Sequence, residues 1–172
     1  MKTDINNYFK NIWKPNIDNH IHSGWKLLKY IDIREDVLDV GCGYNLFKKY
    51  LPNLYGIDPA NDNADEVVSI ENYITNKKYD VILCLGSINF GQQSIIELQI
   101  EKVIKLLRPG GRIYWRQNPG KKDHKWKECL GIDFFPWTMK KNYELADKYG
   151  CEVRVCKWDK SRIYAEWNKK VY

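Results

Sequence analysis

Residues 36–45 have the sequence Asp-Val-Leu-Asp-Val-Gly-Cys-Gly-Tyr-Asn. The first half is a short apolar run that ends in glycine, which is typical of a buried parallel strand. Gly41 and Gly43 allow the backbone to turn sharply and to approach a ligand closely, and the start of a following helix offers unpaired N–H groups. The stretch therefore predicts a strand and a helix joined by a turn that either binds a ligand or is merely tight.

Strands and helices alternate along the rest of the chain. Strands are predicted at 36–41, 54–59, 66–69, 79–85, 112–116, 151–158 and 162–167, and helices at 24–31, 46–50, 94–107 and 139–149. The alternation predicts the α/β class, with a mostly parallel seven-stranded sheet flanked by helices. The last two strands, joined by the short turn 159–161, are expected to form an antiparallel C-terminal hairpin. No repeat or linker interrupts this order, so residues 1–172 are predicted to be a single domain.

Composition excludes several classes of protein. Hydrophobic residues make up 44% and charged residues 29% of the chain, and these globular values exclude wholesale disorder. No run approaches the roughly 18 apolar residues of a membrane span, and the N-terminus lacks the apolar stretch of a signal peptide. We therefore expect a soluble protein without a membrane partner. The net charge of +6 and the pI near 8.9 agree equally well with an anionic partner and with a simple aid to solubility.

Cysteine and histidine spacing bears on metals and on the cellular compartment. The five cysteines form no C-x-x-C pair and have no zinc-finger spacing with histidine. We therefore expect a reduced, cytoplasmic protein. His20 and His22 form an H-x-H pair without an obvious third ligand, so no metal site is predicted.

Acidic residues near the glycine turn indicate the kind of ligand. The dinucleotide fingerprint needs a third glycine where this chain has Leu46, so a pyrophosphate site would lack one of its packing glycines. Asp39, two positions before Gly41, would repel phosphate and suits a cationic ligand such as an ammonium or a sulfonium. Asp58 closes the second strand, where a carboxylate reaches the ribose hydroxyls of a bound nucleoside. The alternative is a surface Asp that starts the Asp-Pro turn, and of the two we favour ribose binding.

Four stretches resemble the class I methyltransferases, which bind S-adenosylmethionine. They are VLDVGCG, YGIDP, YDVILCLGSINF and LLRPGG, in this order. The resemblance covers about residues 24–118, and the helix and hairpin up to Trp167 complete the family's seven-strand plan. The family usually has a further glycine near position 45, where this chain has Asn45, a residue type that tolerates positive φ better than most.

The resemblance implies an S-adenosylmethionine site at one edge of the sheet. The loop from Asp39 to Gly43 would hold the methionine part of the cofactor, Asp58 the ribose, and the end of the third strand the adenine, while the end of the fourth strand would line the sulfur. The N-terminal segment 1–22 would cover the cleft. The implied cofactor-binding residues are Asp39, Gly41, Cys42, Gly43, Asp58, Pro59, Ser69, Ile70, Leu85 and Gly86.

The acceptor is expected next to the segment 86–91, just after the fourth strand. This segment lacks the Asn/Asp-Pro-Pro-aromatic run of enzymes that methylate exocyclic base amines, and the Pro-Cys pair of those that attack a pyrimidine carbon. It also has Gly86 and Ser87 where a ribose-methylating set would need an Asp. Asn89 and Phe90 either orient and stack on an acceptor or serve as a turn residue and a core residue.

The basic and aromatic stretch 118–137 is a second candidate for contact with the acceptor. Lysines interleaved with aromatic residues suit a phosphate backbone with stacked bases, which makes nucleic acid a candidate partner. The alternative is a solvated basic loop that its aromatic residues anchor to the core. The candidate acceptor-binding residues are Phe90, Lys121, Lys122, Trp126, Phe135 and Trp137, and the candidate catalytic residues are Asn89 and His124.

Together these features predict an S-adenosylmethionine-dependent methyltransferase that acts on a nucleic acid or a small molecule. The alternative is a non-catalytic module that binds the cofactor or a nucleic acid. The missing catalytic signature favours that alternative, whereas the intact Asp39, Gly41, Gly43 and Asp58 oppose it. Leu46 and Asp39 disfavour a nicotinamide oxidoreductase. The sequence leaves the acceptor and the oligomeric state open.

Overall fold

A mostly parallel sheet organises the chain. The computed structural model describes residues 4–120, 129 and 131–172. Its strands are β1 Val37–Val40, β2 Leu54–Ile57, β3 Tyr79–Leu85, β4 Leu107–Gln117, β5 Cys151–Asp159 and β6 Arg162–Lys169. Their order is β2-β1-β3-β4-β6-β5, with the first four parallel and β6 antiparallel to both of its neighbours. The predicted α/β class and the antiparallel C-terminal hairpin are confirmed.

Helices cover both faces of the sheet. The α-helices are α1 Ile5–Asn11, α2 Gln93–Leu106 and α3 Met139–Lys148, and the 3-10 helices are Ile17–Asn19, Trp25–Tyr30 and Leu46–Lys49. Helices α2 and α3 pack on one face, around the buried Trp115 and Trp167. The second and third 3-10 helices pack on the other face, around Val81 and Leu83. Burial on both faces explains why the parallel strands are nearly continuous apolar runs.

The sheet has six strands in the described residues instead of the predicted seven. The segment expected to be the third strand, 66–69, forms only a single parallel bridge to β2, at Glu66. The Asp65 carboxylate accepts the Gly56 N–H at 2.8 Å, and the Gly56 carbonyl accepts the N–H groups of Asp65 and Glu66. The N–H and C=O groups of Gly56, which face away from β1, are therefore already paired with residues 65 and 66. A further strand beside β2 would need these groups. The prediction of a seventh strand is wrong for this reason.

Ion pairs close the amino-terminal edge of the parallel strands. Arg108 pairs with Asp36 at 2.8 Å and with Asp80 at 2.6 Å. Arg112, in β4, donates two hydrogen bonds to the Glu35 carboxylate, at 2.7 and 2.8 Å. The opposite edge, where the carboxyl ends of β1 to β4 meet, is where ligands bind in sheets of this kind.

Three features are absent from the described part of the chain: a membrane-spanning helix, a metal-binding cluster and a disulfide. No helix there has both the length and the hydropathy of a membrane span. No group of three or more His, Cys, Asp or Glu side chains in the same ranges is placed to hold a metal ion. All five cysteines are free. Packing, hydrogen bonds and ion pairs hold the described fold together.

Candidate functional site

The glycine turn after β1 lies against the loop that follows β3. Gly41 and Gly43 have φ angles of 70° and 54°, in the left-handed region that glycine adopts without strain. A Cβ atom on Gly41 would lie 2.3 Å from the Cβ atom of Ser87, so this approach requires glycine. Asn45, with φ 56° and ψ 38°, takes the left-handed conformation expected at the place of the third glycine. The turn therefore forms in spite of that substitution.

Asp58 joins the glycine turn to the turn that follows β2. Its Oδ2 accepts the Gly43 N–H at 2.9 Å, and its Oδ1 accepts the N–H groups of Ala60 and Asn61 at 2.8 and 2.9 Å. A carboxylate oxygen accepts about two hydrogen bonds, so Oδ2 retains one position for a ligand. Shaping the turn and binding a ligand are therefore compatible roles for this side chain.

Asp39 lies beneath the glycine turn and is only 4% exposed. No residue of the described ranges donates a hydrogen bond to its carboxylate. Burial raises the pKa of Asp39 to about 7; the positive charge of Arg116 opposes this shift and the negative charge of Asp58 adds to it. A nearby cationic ligand would stabilise the ionised form, which is the preference inferred for this position from the sequence.

Two adjoining cavities lie at the carboxyl edge of the sheet. The larger, about 650 Å³, is lined by six of the predicted cofactor residues: Gly41, Gly43, Asp58, Pro59, Leu85 and Gly86. The smaller, about 470 Å³, includes Ser69 and Ile70. Seven residues line both cavities: Ile5, Asn6, Gly41, Pro59, Ser87, Phe90 and Ile132. The Ser87 hydroxyl is buried without a hydrogen-bond partner, so the boundary between the cavities can take a polar ligand atom.

The N-terminal segment lines one side of the larger cavity, from Ile5 in α1 to His20. The Trp13 ring lies against the glycine turn, since a Cβ atom on Gly43 would be 2.9 Å from it. The sequence analysis did not predict α1, although Ile5, Tyr8 and Phe9 stand at helical spacing; the helix is short, and these side chains are only half-buried.

Asp159, at the end of β5, anchors this segment to the C-terminal hairpin. Its carboxylate accepts the N–H groups of Ile21, His22 and Ser23 and the Ser23 hydroxyl, at 2.7 to 3.0 Å. Burial alone would raise the pKa of Asp159, but these hydrogen bonds outweigh it and hold the pKa below its usual value. The anchor keeps the segment beside the cleft.

Eight of the ten predicted cofactor residues line the two cavities, and Asp39 and Cys42 do not. Asp39 is buried under the turn, as described above. The Cys42 sulfur points toward β2, because it would lie 2.9 Å from a Cβ atom on Gly56. Burial, together with the nearby carboxylates, raises the pKa of the Cys42 thiol, so this side chain is not poised as a nucleophile.

Asn89 and Phe90 both line the larger cavity. The Asn89 Oδ1 accepts the Asn118 N–H at 2.8 Å, which positions the loop after β4. The Phe90 ring lies between those of Phe9 and Phe134, with centroids 5.4 and 5.3 Å away. Asn89 therefore has a positioning contact, and Phe90 links α1 to the wall of the cleft.

The remaining candidates from the stretch 118–137 fall into two groups. Phe135 and Trp137 are 3% and 1% exposed, and the Trp137 indole N–H donates to the Ile88 carbonyl at 2.9 Å. Their burial in the core favours the interpretation in which aromatic residues anchor this stretch. Lys121, Lys122, His124 and Trp126 lie outside the described residues.

Several cavity residues were not singled out for this site from the sequence: Arg116, Lys160, Arg162 and, as a residue of the cleft, His20. The position of Arg116 at the carboxyl end of a predicted strand was an available signal for it. No local pattern indicates that the hairpin turn with Lys160 and Arg162 faces the cleft.

No family model and no curated protein matches the sequence. Solved structures do match it. The structure of a methyltransferase with the Haloferax volcanii Trm112 methyltransferase activator has a TM-score of 0.70 at 15% identity, over 90% of this chain and 92% of that chain. The chain has the class I methyltransferase fold.

Two further structures with this methyltransferase fold contain the cofactor or its product. Magnesium protoporphyrin IX methyltransferase from Synechocystis PCC 6803, with bound S-adenosylmethionine, has a TM-score of 0.67 at 12% identity, over 96% of this chain and 95% of that one. The N-methyltransferase NodS from Bradyrhizobium japonicum WM9, with S-adenosylhomocysteine, has a TM-score of 0.62 at 14% identity, over 89% of this chain and 96% of that one.

Proposed function

We propose that this protein is an S-adenosylmethionine-dependent methyltransferase whose cofactor occupies the two adjoining cavities. The observation that carries the proposal is the meeting of the glycine turn and the Asp58 carboxylate at the carboxyl edge of a sheet with this fold. Three features of the residues fit such a ligand. Asp58 Oδ2 retains an acceptor position, the Ser87 hydroxyl is buried without a partner, and Asp39 is a buried carboxylate without a donor.

Each part of the cofactor has a proposed set of contacts. Asp58 would accept a hydrogen bond from the ribose, and the smaller cavity, at Ser69 and Ile70, would take the adenine. The backbone of the turn from Gly41 to Gly43 would bind the methionine part, with the Asp39 charge acting on its ammonium from below. Leu85 and Gly86 would lie beside the sulfur.

When bound, S-adenosylmethionine supplies a methyl group activated by a sulfonium. The residues of this chain then have the tasks of orientation and exclusion of water. Trp13 and Phe9, from the N-terminal segment, and Phe90, from the loop after β3, wall the larger cavity with aromatic rings. We propose that segment 1–22 covers the bound cofactor and that Asp159 holds this cover in place.

A non-catalytic binding module is the second candidate function. The contact between Asn89 and the Asn118 N–H favours it, because this candidate catalytic side chain is engaged in positioning a loop. Incubation of the protein with cell extract and methyl-labelled S-adenosylmethionine separates the two functions. Transfer of label to a molecule that is not labelled in extract alone requires this protein to be an enzyme, whereas a binding module adds no labelled product to those of the extract.

Calorimetry with S-adenosylhomocysteine tests the cofactor site, and NADH serves as the comparison ligand. We expect the first to bind and the second not to. Replacing Asp58 with Ala removes one charge-assisted hydrogen bond to the ribose, worth about 1.5–3 kcal/mol, so affinity should fall roughly 10- to 150-fold. Binding of the variant within a few-fold of the parent would contradict the ribose assignment.

Two further variants separate binding from folding. Asp62→Ala removes an exposed carboxylate near Asp58 whose ion-pair partner among the described residues is Lys10, at 3.3 Å, and should leave affinity unchanged. Asp58→Asn keeps one oxygen for the N–H groups of the turn, so its thermal unfolding should stay closer to that of the parent than the unfolding of Asp58→Ala. A loss of affinity in Asp58→Asn without a loss of stability would assign the effect to the ligand.

A further inference from the structure

Arg116 is a half-buried cation in the larger cavity that has no carboxylate partner. Its guanidinium donates to the carbonyl oxygens of Ser23 at 3.1 Å and Leu85 at 2.9 Å. No carboxylate of the described residues forms an ion pair with it. Burial lowers the pKa of Arg116 to about 10, because the charges of Asp159 and Asp39 compensate only in part. With five N–H donors, a guanidinium in this setting can still bind an anion through two of them.

Arg116 also lies beside the place where the acceptor is expected. A Cβ atom on Gly86 would be 3.9 Å from Nε and from one terminal nitrogen of Arg116. Gly86 is a residue that the resemblance puts next to the sulfur. The guanidinium is therefore within reach of a molecule that approaches the methyl group.

Lys160 lines the same cavity in an unfavourable backbone conformation. It sits in the turn between β5 and β6 with a φ of 55°, and it is one of two non-glycine residues with positive φ in the described ranges. Lysine is rare in this region, where glycine and asparagine dominate. Strained residues of this kind cluster at ligand-binding sites, where their side chain has a role that glycine cannot supply.

The pKa of His20 indicates that the cations of the larger cavity lie close to one another, around the His20 side chain. Burial lowers the pKa of His20 to about 4, and the positive charges of Arg116, Arg162 and Lys160 add to that effect while Asp159 opposes it. The imidazole is therefore neutral at pH 7, and its buried Nδ1 has no hydrogen-bond partner. Three cations thus surround a neutral side chain in the wall of the cavity.

Positively charged side chains outnumber negatively charged ones in the lining of the larger cavity. Its cations are Lys14, Arg116, Lys160 and Arg162, and its only carboxylate among the described residues is Asp58, at the proposed ribose site. Much of the remaining wall is aromatic: Tyr8, Phe9, Trp13, Phe90 and Phe134. A volume of about 650 Å³, shared with a nucleoside, leaves room for a molecule of one or two rings.

We propose that this cavity binds a small aromatic acceptor through an anionic group, a carboxylate or a phosphate, that pairs with Arg116 and Lys160. The inference rests on the proposed function, since it assigns the acceptor class of the same cleft. The anion supplies the counter-charge that Arg116 lacks, and the rings of the cavity wall pack against the aromatic part.

Matched probes test this inference on protein saturated with S-adenosylhomocysteine. The probes are 4-hydroxybenzoate, phenyl phosphate and the neutral 4-hydroxybenzamide, titrated by calorimetry. We expect at least one anion to bind about tenfold or more tightly than the amide, because a charge-assisted pair with arginine is lost in the amide. Arg116→Met should bring the anions and the amide to within about twofold of each other, and Lys160→Gly should reduce the preference in part.

Arg154→Met is the matched control. It removes the same charge from an exposed residue of β5 that pairs with Glu152, outside both cavities. The preference for the anions should persist in this variant. Equal affinity of anions and amide for the parent, no binding of any probe at millimolar concentration, or an unchanged preference in Arg116→Met would each overturn the proposal.

Three more outcomes identify what is wrong if the proposal fails. If Arg116→Met weakens S-adenosylhomocysteine but not 5′-methylthioadenosine, Arg116 binds the cofactor's carboxylate and the acceptor assignment is overturned. If a ten-nucleotide oligothymidylate binds through Arg116 and the small anions do not, the acceptor is a nucleic acid. Absence of S-adenosylhomocysteine binding would contradict the proposed function itself, and the anion preference is then measured on the ligand-free protein.

Discussion

Two arginines four residues apart on β4 have opposite environments. Arg112, at the amino-terminal edge of the sheet, makes a bidentate pair with Glu35 and also donates to the Tyr30 carbonyl and the Tyr114 hydroxyl. Its hydrogen bonds to Glu35 raise the pKa of Arg112 and lower that of Glu35. Arg116, at the carboxyl edge, has carbonyl oxygens as its only hydrogen-bond partners among the described residues, and burial lowers its pKa to about 10.

The different environments of Arg112 and Arg116 separate two roles along one strand: Arg112 stabilises the fold, and Arg116 is available to a ligand. At the amino-terminal edge both arginines of β4 form ion pairs: Arg112 with Glu35, and Arg108 with Asp36 and Asp80. At the carboxyl edge a half-buried cation, Arg116, and a buried carboxylate, Asp39, form no ion pair with any described residue. Unpaired buried charges cost stability, and they are typical of sites whose ligand completes the pairing.

The largest expected loss of stability comes from exchanging Arg112 for methionine, with Arg116→Met as the comparison. Arg112→Met leaves Glu35 without its bidentate partner and should lower the free energy of unfolding by about 2 kcal/mol, between the values for exposed and buried pairs. Arg116→Met removes an uncompensated charge and should change stability by less than about 1 kcal/mol. Urea denaturation at pH 7 measures both, and equal destabilisation would break the comparison.

The pH dependence of the stability lost in Arg112→Met sharpens the comparison of the two arginines. The pKa of Glu35 is lower in the folded protein, so the pair contributes stability above the unfolded pKa and loses it as the pH falls through the folded pKa. The difference between Arg112→Met and the parent should therefore shrink in acid. No such trend is expected for Arg154→Met.

A gain of stability is expected for Asp39→Asn. The pKa of Asp39 is raised to about 7 in the folded protein, so its ionisation costs stability between roughly pH 4 and pH 7, and the cost stays constant above that. The variant should be more stable than the parent at pH 8 by on the order of 4 kcal/mol, since each pKa unit is worth about 1.4 kcal/mol, and the two should converge near pH 4. Thermal unfolding at the two pH values measures this.

Asp62→Asn, at an exposed site, is the control for Asp39 and should show no such dependence. If S-adenosylmethionine brings a positive charge close to Asp39, it should also raise the melting temperature of the parent more than that of Asp39→Asn. A stabilisation of Asp39→Asn that is equal at pH 4 and pH 8 would mean that the carboxylate is not unfavourably buried.

The smallest effect is expected for Lys160→Gly. Glycine adopts a φ of 55° without strain but loses more backbone entropy on folding, so the net stabilisation should be about 0.5 kcal/mol. The melting temperature should rise slightly, whereas Lys157→Gly, within the extended β5, should lower it. A lower melting temperature for Lys160→Gly would mean that the lysine side chain stabilises the turn, which would weaken the case for a role in binding.

Much of the fold could be predicted from local sequence. The strand at 79–85, the amphipathic helix after it and the C-terminal hairpin were all expected, because apolar periodicity and glycine positions are local properties. The glycine turn and Asp58 were located in the same way. The absence of the predicted strand at 66–69 could not be foreseen. It depends on the Asp65 carboxylate, which folding brings to Gly56 from nine residues away and which occupies the edge of β2.

The sequence by itself therefore determined the order of the six strands and the two longer α-helices, and the two turns that meet at the carboxyl edge. Only the tertiary structure decided which charges are paired there. Arg112 and Arg116 have the same side chain in one strand, and Asp159 receives its hydrogen bonds from residues at least 136 positions away in the sequence. The electrostatic energy of a charge depends on the groups that folding brings within a few ångströms, which no local pattern records.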